Sequence, residues 1–76
     1  MDLSVVEYEK KGHIAYVRLN RPEKLNAMNQ AMHEELGLVW KDFRDDKDMR
    51  VAILSGNGRC FSAGADLSGG APEDYV

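Results

Sequence analysis

Apolar and polar residues alternate with a period of two at the start of the chain. Val6 and Tyr8 fall on one side, Glu7 and Glu9 on the other, which is the pattern of a half-buried strand. Lys11-Gly12 follows as a tight turn, because glycine takes positive φ without a steric penalty. From His13 to Leu19 the alternation resumes, with Ala15, Val17 and Leu19 opposite Ile14, Tyr16 and Arg18. Both of its sides are largely apolar, so this second strand is expected to lie deeper in a sheet than the first. The pattern predicts a hairpin over about 4–19.

Asn20-Arg21-Pro22-Glu23 ends the strand, since proline has no N–H to donate and biases its predecessor towards extended geometry. A helix over about 29–44 comes next. Asn29 is its N-cap candidate, and Glu34 and Glu35 are expected to favour the positive end of the helix dipole. Met28, Met32, Leu36, Val39, Trp40 and Phe43 recur at helical spacing and predict one broad apolar face, a core stripe that includes Trp40. Gly37 costs about 1 kcal/mol against alanine inside a helix; tight packing on a neighbouring backbone would explain it. Arg44 to Arg50 is a charged loop. Val51 to Ser55 is a short apolar run of the kind found in buried parallel strands, so strand, helix and strand form a βαβ crossover. Gly56 to Arg59 is a turn, Cys60-Phe61-Ser62 is expected to extend briefly, and Ala63 to Leu67 to turn towards another helix.

The reading is an α/β chain of ββαβ order. A single helix covers one face of its sheet and leaves the other face bare, whereas a sheet with a βαβ crossover normally has both faces buried. With 76 residues the chain holds one domain or part of one, so further polypeptide is expected to complete it.

Composition narrows the function classes. The formal net charge is −3 with 30% charged residues, both signs interspersed, so there is no basic stripe for nucleic acid and no polybasic run for anionic lipid. No apolar run approaches the roughly 18 residues of a membrane span, and the acidic, alternating start lacks the pattern of a signal peptide. Cys60 is the single cysteine, and His13 and His33 lie near no second sulfur ligand, so neither a disulfide framework nor a zinc pattern exists. A lone thiol fits a reducing compartment, and the protein reads as cytoplasmic.

Several familiar motifs fail. Gly56-Asn57-Gly58-Arg59-Cys60-Phe61 starts like a dinucleotide fingerprint, but Phe61 stands where the third glycine belongs. No glycine is followed by lysine and Ser/Thr, and Ser62 lacks the flanking glycines of a nucleophile elbow. What remains is Ser62-Ala63-Gly64-Ala65-Asp66-Leu67. Small residues there let another molecule approach the backbone, and N–H groups at a helix start can hold a developing oxyanion. The same residues also suit a plain strand-to-helix turn capped by Asp66. The second segment, Leu19-Asn20-Arg21-Pro22-Glu23-Lys24-Leu25-Asn26-Ala27-Met28, reads by itself as a loop leading into a helix.

Taken together, LNRPEKLNAM and VAILSGNGRCFSAGADL, in this order and joined by a helix of this character, resemble the enoyl-CoA hydratase/isomerase (crotonase) superfamily. The resemblance runs from Val5 to Leu67. It implies that residues 1–76 are the N-terminal ββαβ portion of a single crotonase-like domain, a spiral of repeated turns that build two perpendicular sheets.

By that resemblance, the Ala65 backbone amide is the catalytic group, one half of an oxyanion hole. Ala63, Gly64, Asp66 and Leu67 line the groove for the adenine and pantetheine of coenzyme A, and Lys24, Leu25 and Ala27 form the opposite wall. Lys24 is either a point charge for a coenzyme-A phosphate or an ordinary surface lysine, and Asp66 suits a turn or cap better than an acid catalyst. The second oxyanion amide and the catalytic glutamates would come from segments after Val76. Glu7, Glu9, Glu34, Glu35 and Glu73 therefore read as exposed charges. The implied activity is syn-hydration of a trans-2-enoyl-CoA in fatty-acid metabolism. Alternatives are isomerisation, thioester hydrolysis, decarboxylation or dehalogenation on the same scaffold, or a non-catalytic acyl-CoA-binding or oligomerisation fragment; these residues alone are expected to be inactive. No tightly bound cofactor or metal is implied, because coenzyme A enters as part of the substrate. The implied partners are the acyl-CoA thioester, the rest of the domain and sister subunits in a homotrimer or dimer of trimers, with no nucleic acid and no membrane.

Overall fold

The computed structural model describes residues 1–62 and residue 64. Its elements are β1 (Val6–Lys11), β2 (Ile14–Leu19), a 3-10 turn at Pro22–Lys24, α1 (Gln30–Asp45) and β3 (Val51–Gly56). They form one sheet of order β1-β2-β3, the ββαβ arrangement expected from the sequence. β1 and β2 are antiparallel, from Val6 opposite Leu19 to Lys11 opposite Ile14. β2 and β3 are parallel, from Ile14 beside Val51 to Leu19 beside Gly56. The strand with two apolar sides is thus the central one.

The hairpin turn is Gly12-His13, with Gly12 at φ 60°, so His13 lies in the turn rather than the strand. It anchors the approach to β3: its carbonyl accepts from Arg50 N–H at 2.9 Å and its Nδ1 lies 2.7 Å from the Asp48 carbonyl oxygen.

Alternation along β2 buries Ala15, Val17 and Leu19 on the side facing α1. Met32, Leu36 and Val39 meet Val6, Val17 and Leu19 in the core, the i, i+4, i+7 spacing of one helix face. Asn29 caps the helix by accepting from Met32 N–H at 3.0 Å. Trp40 departs from the expected stripe: it remains 36% exposed and stands edge-on to Phe43, ring centroids 6.4 Å apart. At roughly 100° per residue, position 40 lies ~80° round from Met32, which sits between Val39 and Leu36 in the buried stripe, so Trp40 falls on the flank of that stripe. Gly37 also differs from expectation. It is exposed, and a Cβ there would meet nothing within 4 Å, so no close backbone approach accounts for it.

Glu35 is not the exposed charge the sequence suggested. The helix begins at Gln30, which puts Glu34 and Glu35 beyond its first turn, where the dipole effect has decayed. Glu35 instead reaches the start of β1. Its Oε1 accepts from the N–H groups of Ser4, Val5 and Val6 at 2.9, 2.9 and 3.1 Å, and its Oε2 from the Ser4 hydroxyl at 2.8 Å. Burial pushes this carboxyl up, but the hydrogen bonds from Val5 and Ser4 outweigh burial and hold it below the usual glutamate range. The other end of β1 is tied to α1 by Tyr8, which donates to Asp42 at 2.8 Å, and by Lys10, which bridges Asp42 and Asp46 at 2.7 and 2.6 Å. Burial and the bond to Asp42 push the Tyr8 hydroxyl up to about 12.

β3 differs most from its sequence expectation. Val51, Ile53 and Leu54 are 52%, 44% and 42% exposed. The reason is topological: α1 packs chiefly on β1 and β2, so the apolar side chains of the far strand are left without the helix cover that buries those of β2. On the side of the hairpin away from α1, Tyr16 lies under the cations of Lys11 and Arg18, and Arg18 reaches Glu9 at 3.5 Å.

Candidate functional site

Two loops leave the same end of the sheet. The first, residues 20–29, follows β2; the second, residues 57–62 together with residue 64, follows β3. Because β2 and β3 are parallel neighbours, both loops start side by side at the carboxyl ends of their strands, the position where open α/β sheets place their binding crevices.

The first loop is shaped by its own backbone. Pro22 opens the 3-10 turn with its fixed φ. Lys24 N–H and Asn26 N–H both donate to the Arg21 carbonyl, at 3.0 and 2.8 Å, and Leu25 N–H donates to Pro22 at 3.0 Å. Leu25 and Asn26 then take left-handed φ values of 52° and 54°. Asparagine tolerates this region, whereas leucine in it stores strain on the order of 1–3 kcal/mol. The two consecutive left-handed residues leave Lys24 and Leu25 exposed and bring Asn26 to complete burial, 0% exposed. Arg21 Nη1 donates to the Ala27 carbonyl at 3.0 Å and steadies the loop's exit.

Asn26 joins this loop to the second. Its Oδ1 accepts from Arg21 N–H at 2.7 Å, while its Nδ2 donates across to the carbonyls of Asn57 and Cys60, both at 2.7 Å. The opposite amide orientation would set an oxygen against those two carbonyls. Ser62 Oγ donates to the Asn26 carbonyl at 2.9 Å and accepts from Gly64 N–H at 3.1 Å. Met28 N–H donates to the Gly64 carbonyl at 2.8 Å. Each such bond contributes about 1 kcal/mol, and a buried carbonyl left without a partner costs about 1–3 kcal/mol.

The fit between the loops also explains two glycines. A Cβ on Gly56 would overlap the Phe61 carbonyl oxygen and lie 2.7 Å from Phe61 Cα and 2.9 Å from Asn26 Nδ2. A Cβ on Gly58 would stand 2.9 Å from Pro22 Cβ, and Gly58 has φ 85° besides. Cys60-Phe61-Ser62 bends at Phe61 rather than extending as expected; the Cys60 carbonyl is taken by the Asn26 side chain and the Ser62 hydroxyl by the Asn26 carbonyl, in place of a strand ladder.

Of the site residues expected from sequence, the structure brings Ala27 and Gly64 together through the Met28–Gly64 bond. Lys24 and Leu25 occupy the outer surface of the first loop, and half-buried Ala27 has its carbonyl held by Arg21. Ala63, Ala65, Asp66 and Leu67 lie outside the described residues, as does Glu73. Among the described residues no group of three or more metal-ligating side chains occurs, and no helix is long and apolar enough to cross a membrane. Sequence reasoning missed Asn26, the joint of the site. Its only local signal is that asparagine is among the residues that accept left-handed φ; its three partners are visible only in three dimensions.

A ββαβ unit whose two loops are hydrogen-bonded to each other at the carboxyl ends of parallel strands defines an α/β protein with a candidate site at that end of the sheet. Comparison with known proteins makes the class specific. Residues 9–75 match the family described as enoyl-CoA hydratase/isomerase. The chain is 42% identical over 59 residues to a probable mitochondrial enoyl-CoA hydratase of Dictyostelium discoideum, covering 78% of this chain and 21% of that protein. It is 44% identical over 61 residues to a mitochondrial delta(3,5)-delta(2,4)-dienoyl-CoA isomerase of Mus musculus, covering 80% of this chain and 19% of the isomerase. Among solved structures, a probable enoyl-CoA hydratase/isomerase from Mycobacterium abscessus superposes with a TM-score of 0.85 at 38% identity, over 90% of this chain and 26% of that one. The chain belongs to the enoyl-CoA hydratase/isomerase family. It spans about a fifth of the length of these two relatives.

Proposed function

We propose that the protein carrying this chain hydrates a trans-2-enoyl-CoA, with these residues supplying one oxyanion donor and part of the coenzyme-A cleft. Water adds across the double bond next to the thioester. As its oxygen bonds to the β-carbon, the π electrons move towards the thioester oxygen, and the resulting enolate is protonated at the α-carbon. The donor that steadies the charged oxygen is the Ala65 amide. Proton transfer falls to groups outside the described residues.

The observation that carries this reading is the anchoring of the Gly64 carbonyl by Met28 N–H. A planar trans peptide directs its N–H opposite to its C=O, so a fixed carbonyl at position 64 is what a fixed donor at position 65 requires. Lys24, Leu25 and Ala27 on one side and Ala63, Gly64, Asp66 and Leu67 on the other are the proposed walls for coenzyme A, which enters as substrate. The proposed setting is a homotrimer or dimer of trimers in a reducing compartment, the cytosol, the latter resting on the single thiol Cys60.

The 44% identity to a protein named as a dienoyl-CoA isomerase supports a second reading, migration of a double bond on the same oxyanion chemistry. Product mass separates them, since hydration adds water and isomerisation leaves the mass unchanged. For either reaction, Ala65→Pro in the full-length protein removes the N–H. The expected result is a fall of about 10²–10³-fold in kcat with a much smaller change in KM, because the bond strengthens as charge develops. A circular-dichroism melt checks folding. A folded variant that turns over crotonyl-CoA at the parent rate refutes the assignment.

A further inference from the structure

We propose that Asn26 is a positioning residue of this site, a latch whose side-chain amide sets the separation of the two loops and thereby the geometry of the acyl-CoA cleft. This rests on the acyl-CoA reading above and adds a residue that the reading does not contain.

Four observations carry it. First, Asn26 is 0% exposed, so it acts through the loops and not by touching a ligand. Second, residue 26 holds the second loop at three points: Nδ2 takes the carbonyls of Asn57 and Cys60, and the backbone carbonyl takes the Ser62 hydroxyl. The first two points bracket the turn at Gly58-Arg59, so both sides of that turn are fixed at once. Third, Gly56 leaves the space into which the amide packs, and a Cβ there would intrude on Nδ2. Fourth, apolar packing offers no equivalent tie. Of the large apolar side chains of the two loops, Leu25 and Phe61 are exposed and Met28 packs against the core between sheet and helix, so hydrogen bonds carry the register between the loops.

The chemistry selects asparagine. The position needs two N–H donors aimed away from one acceptor, on a side chain short enough for the buried joint and a residue tolerant of left-handed φ. Aspartate has nearly the same shape and keeps the acceptor for Arg21 N–H, but as a carboxylate it turns an oxygen towards each of two carbonyls. Through Ser62 and the neighbouring Met28–Gly64 bond, displacement of the second loop reaches the Gly64 carbonyl. Misplacement of a catalytic donor by about 1 Å is enough to cost ~10²-fold in rate.

The test uses the full-length protein with Asn26→Ala and Asn26→Asp, crotonyl-CoA as probe, and amide hydrogen exchange at Met28 and Arg21. Both variants are expected to lose about 10²-fold in kcat with KM changed far less, and to exchange the Met28 amide at least ~10-fold faster, one exchange decade for about 1.4 kcal/mol of lost protection. The Arg21 amide, whose acceptor survives in Asn26→Asp, is expected to stay protected in that variant and lose protection in Asn26→Ala. A folded Asn26→Ala protein with unchanged Met28 exchange and parent kcat overturns the latch. So does a loss confined to thermal stability, with kcat and KM at parent values below the melting point. If Asn26→Ala does not fold, the near-isosteric Asn26→Asp decides by the same two readouts. A parent protein that neither binds nor converts crotonyl-CoA refutes the acyl-CoA reading instead, and Met28 exchange in the variants still decides whether the loops are latched.

Discussion

The hairpin with its helix and the pair of loops at the end of the sheet are held together by different physics. In the first region six buried apolar side chains from β1, β2 and α1 form the core, and polar groups at the margin, Glu35 and the Tyr8–Asp42–Lys10 cluster, fasten β1 to the helix. In the second, the joint is a buried amide and a short chain of hydrogen bonds, with Leu25 and Phe61 left exposed. Apolar burial is nondirectional and tolerates small adjustments. A hydrogen-bonded joint fixes distance and angle and fails when one partner is lost. The core therefore supplies stability, and the latch supplies geometry.

The largest effect that would sharpen this contrast lies in the core. Met32 is fully buried, so Met32→Ala in the full-length protein is expected to cost about 2–5 kcal/mol in urea unfolding, with Met28 amide exchange under native conditions little changed. If that variant slows turnover as much as it destabilises, the two regions are not separable. Gly56→Ala comes next. Its Cβ collides with Phe61 backbone and approaches Asn26 Nδ2, an overpacking expected to cost ~1–3 kcal/mol. Its effect on the Met28 amide and on kcat is expected to exceed that of Met32→Ala despite the smaller stability loss. Equal stability and parent turnover in Gly56→Ala would show that the loops adjust freely.

The smallest effect concerns Glu35. Its folded carboxyl is held below the usual glutamate range, so its contribution is fully present above the unfolded pKa and is lost as pH falls through the folded value. Glu35→Gln keeps an acceptor and removes the charge. At neutral pH it is expected to be less stable by about 0.5–1 kcal/mol, a figure reduced for solvent screening at a half-exposed site, and the gap to the parent protein should close on acidification. A gap that persists unchanged into acid would mean the shape of the side chain, not its charge, holds the start of β1.

These two regions were also unequally legible. Alternation in β1 and β2 and the 3.6-residue recurrence of Met32, Leu36 and Val39 specify the hairpin, the helix and their buried faces, because each pattern is a local consequence of backbone period. Position within that period is less forgiving at its edges, as Trp40 shows. The family resemblance was equally visible, carried by LNRPEKLNAM and the segment beginning at Val51. The exposure of β3 was not visible in its apolar run, since burial depends on where α1 crosses the sheet and not on the strand's own residues. Glu35 read as an ordinary helix charge because its acceptors' partners are about thirty positions away in sequence.

Asn26 marks the boundary between what the sequence determined by itself and what only the tertiary structure decided. Residue types and their spacing determined the elements, the order ββαβ and the family. The pairing of the loops was decided in three dimensions, when parallel β2 and β3 brought residue 26 beside the carbonyls of residues 57 and 60. An asparagine in a loop carries no record of which distant carbonyls it will meet, because a hydrogen bond is specified by position and direction, and both come from the fold.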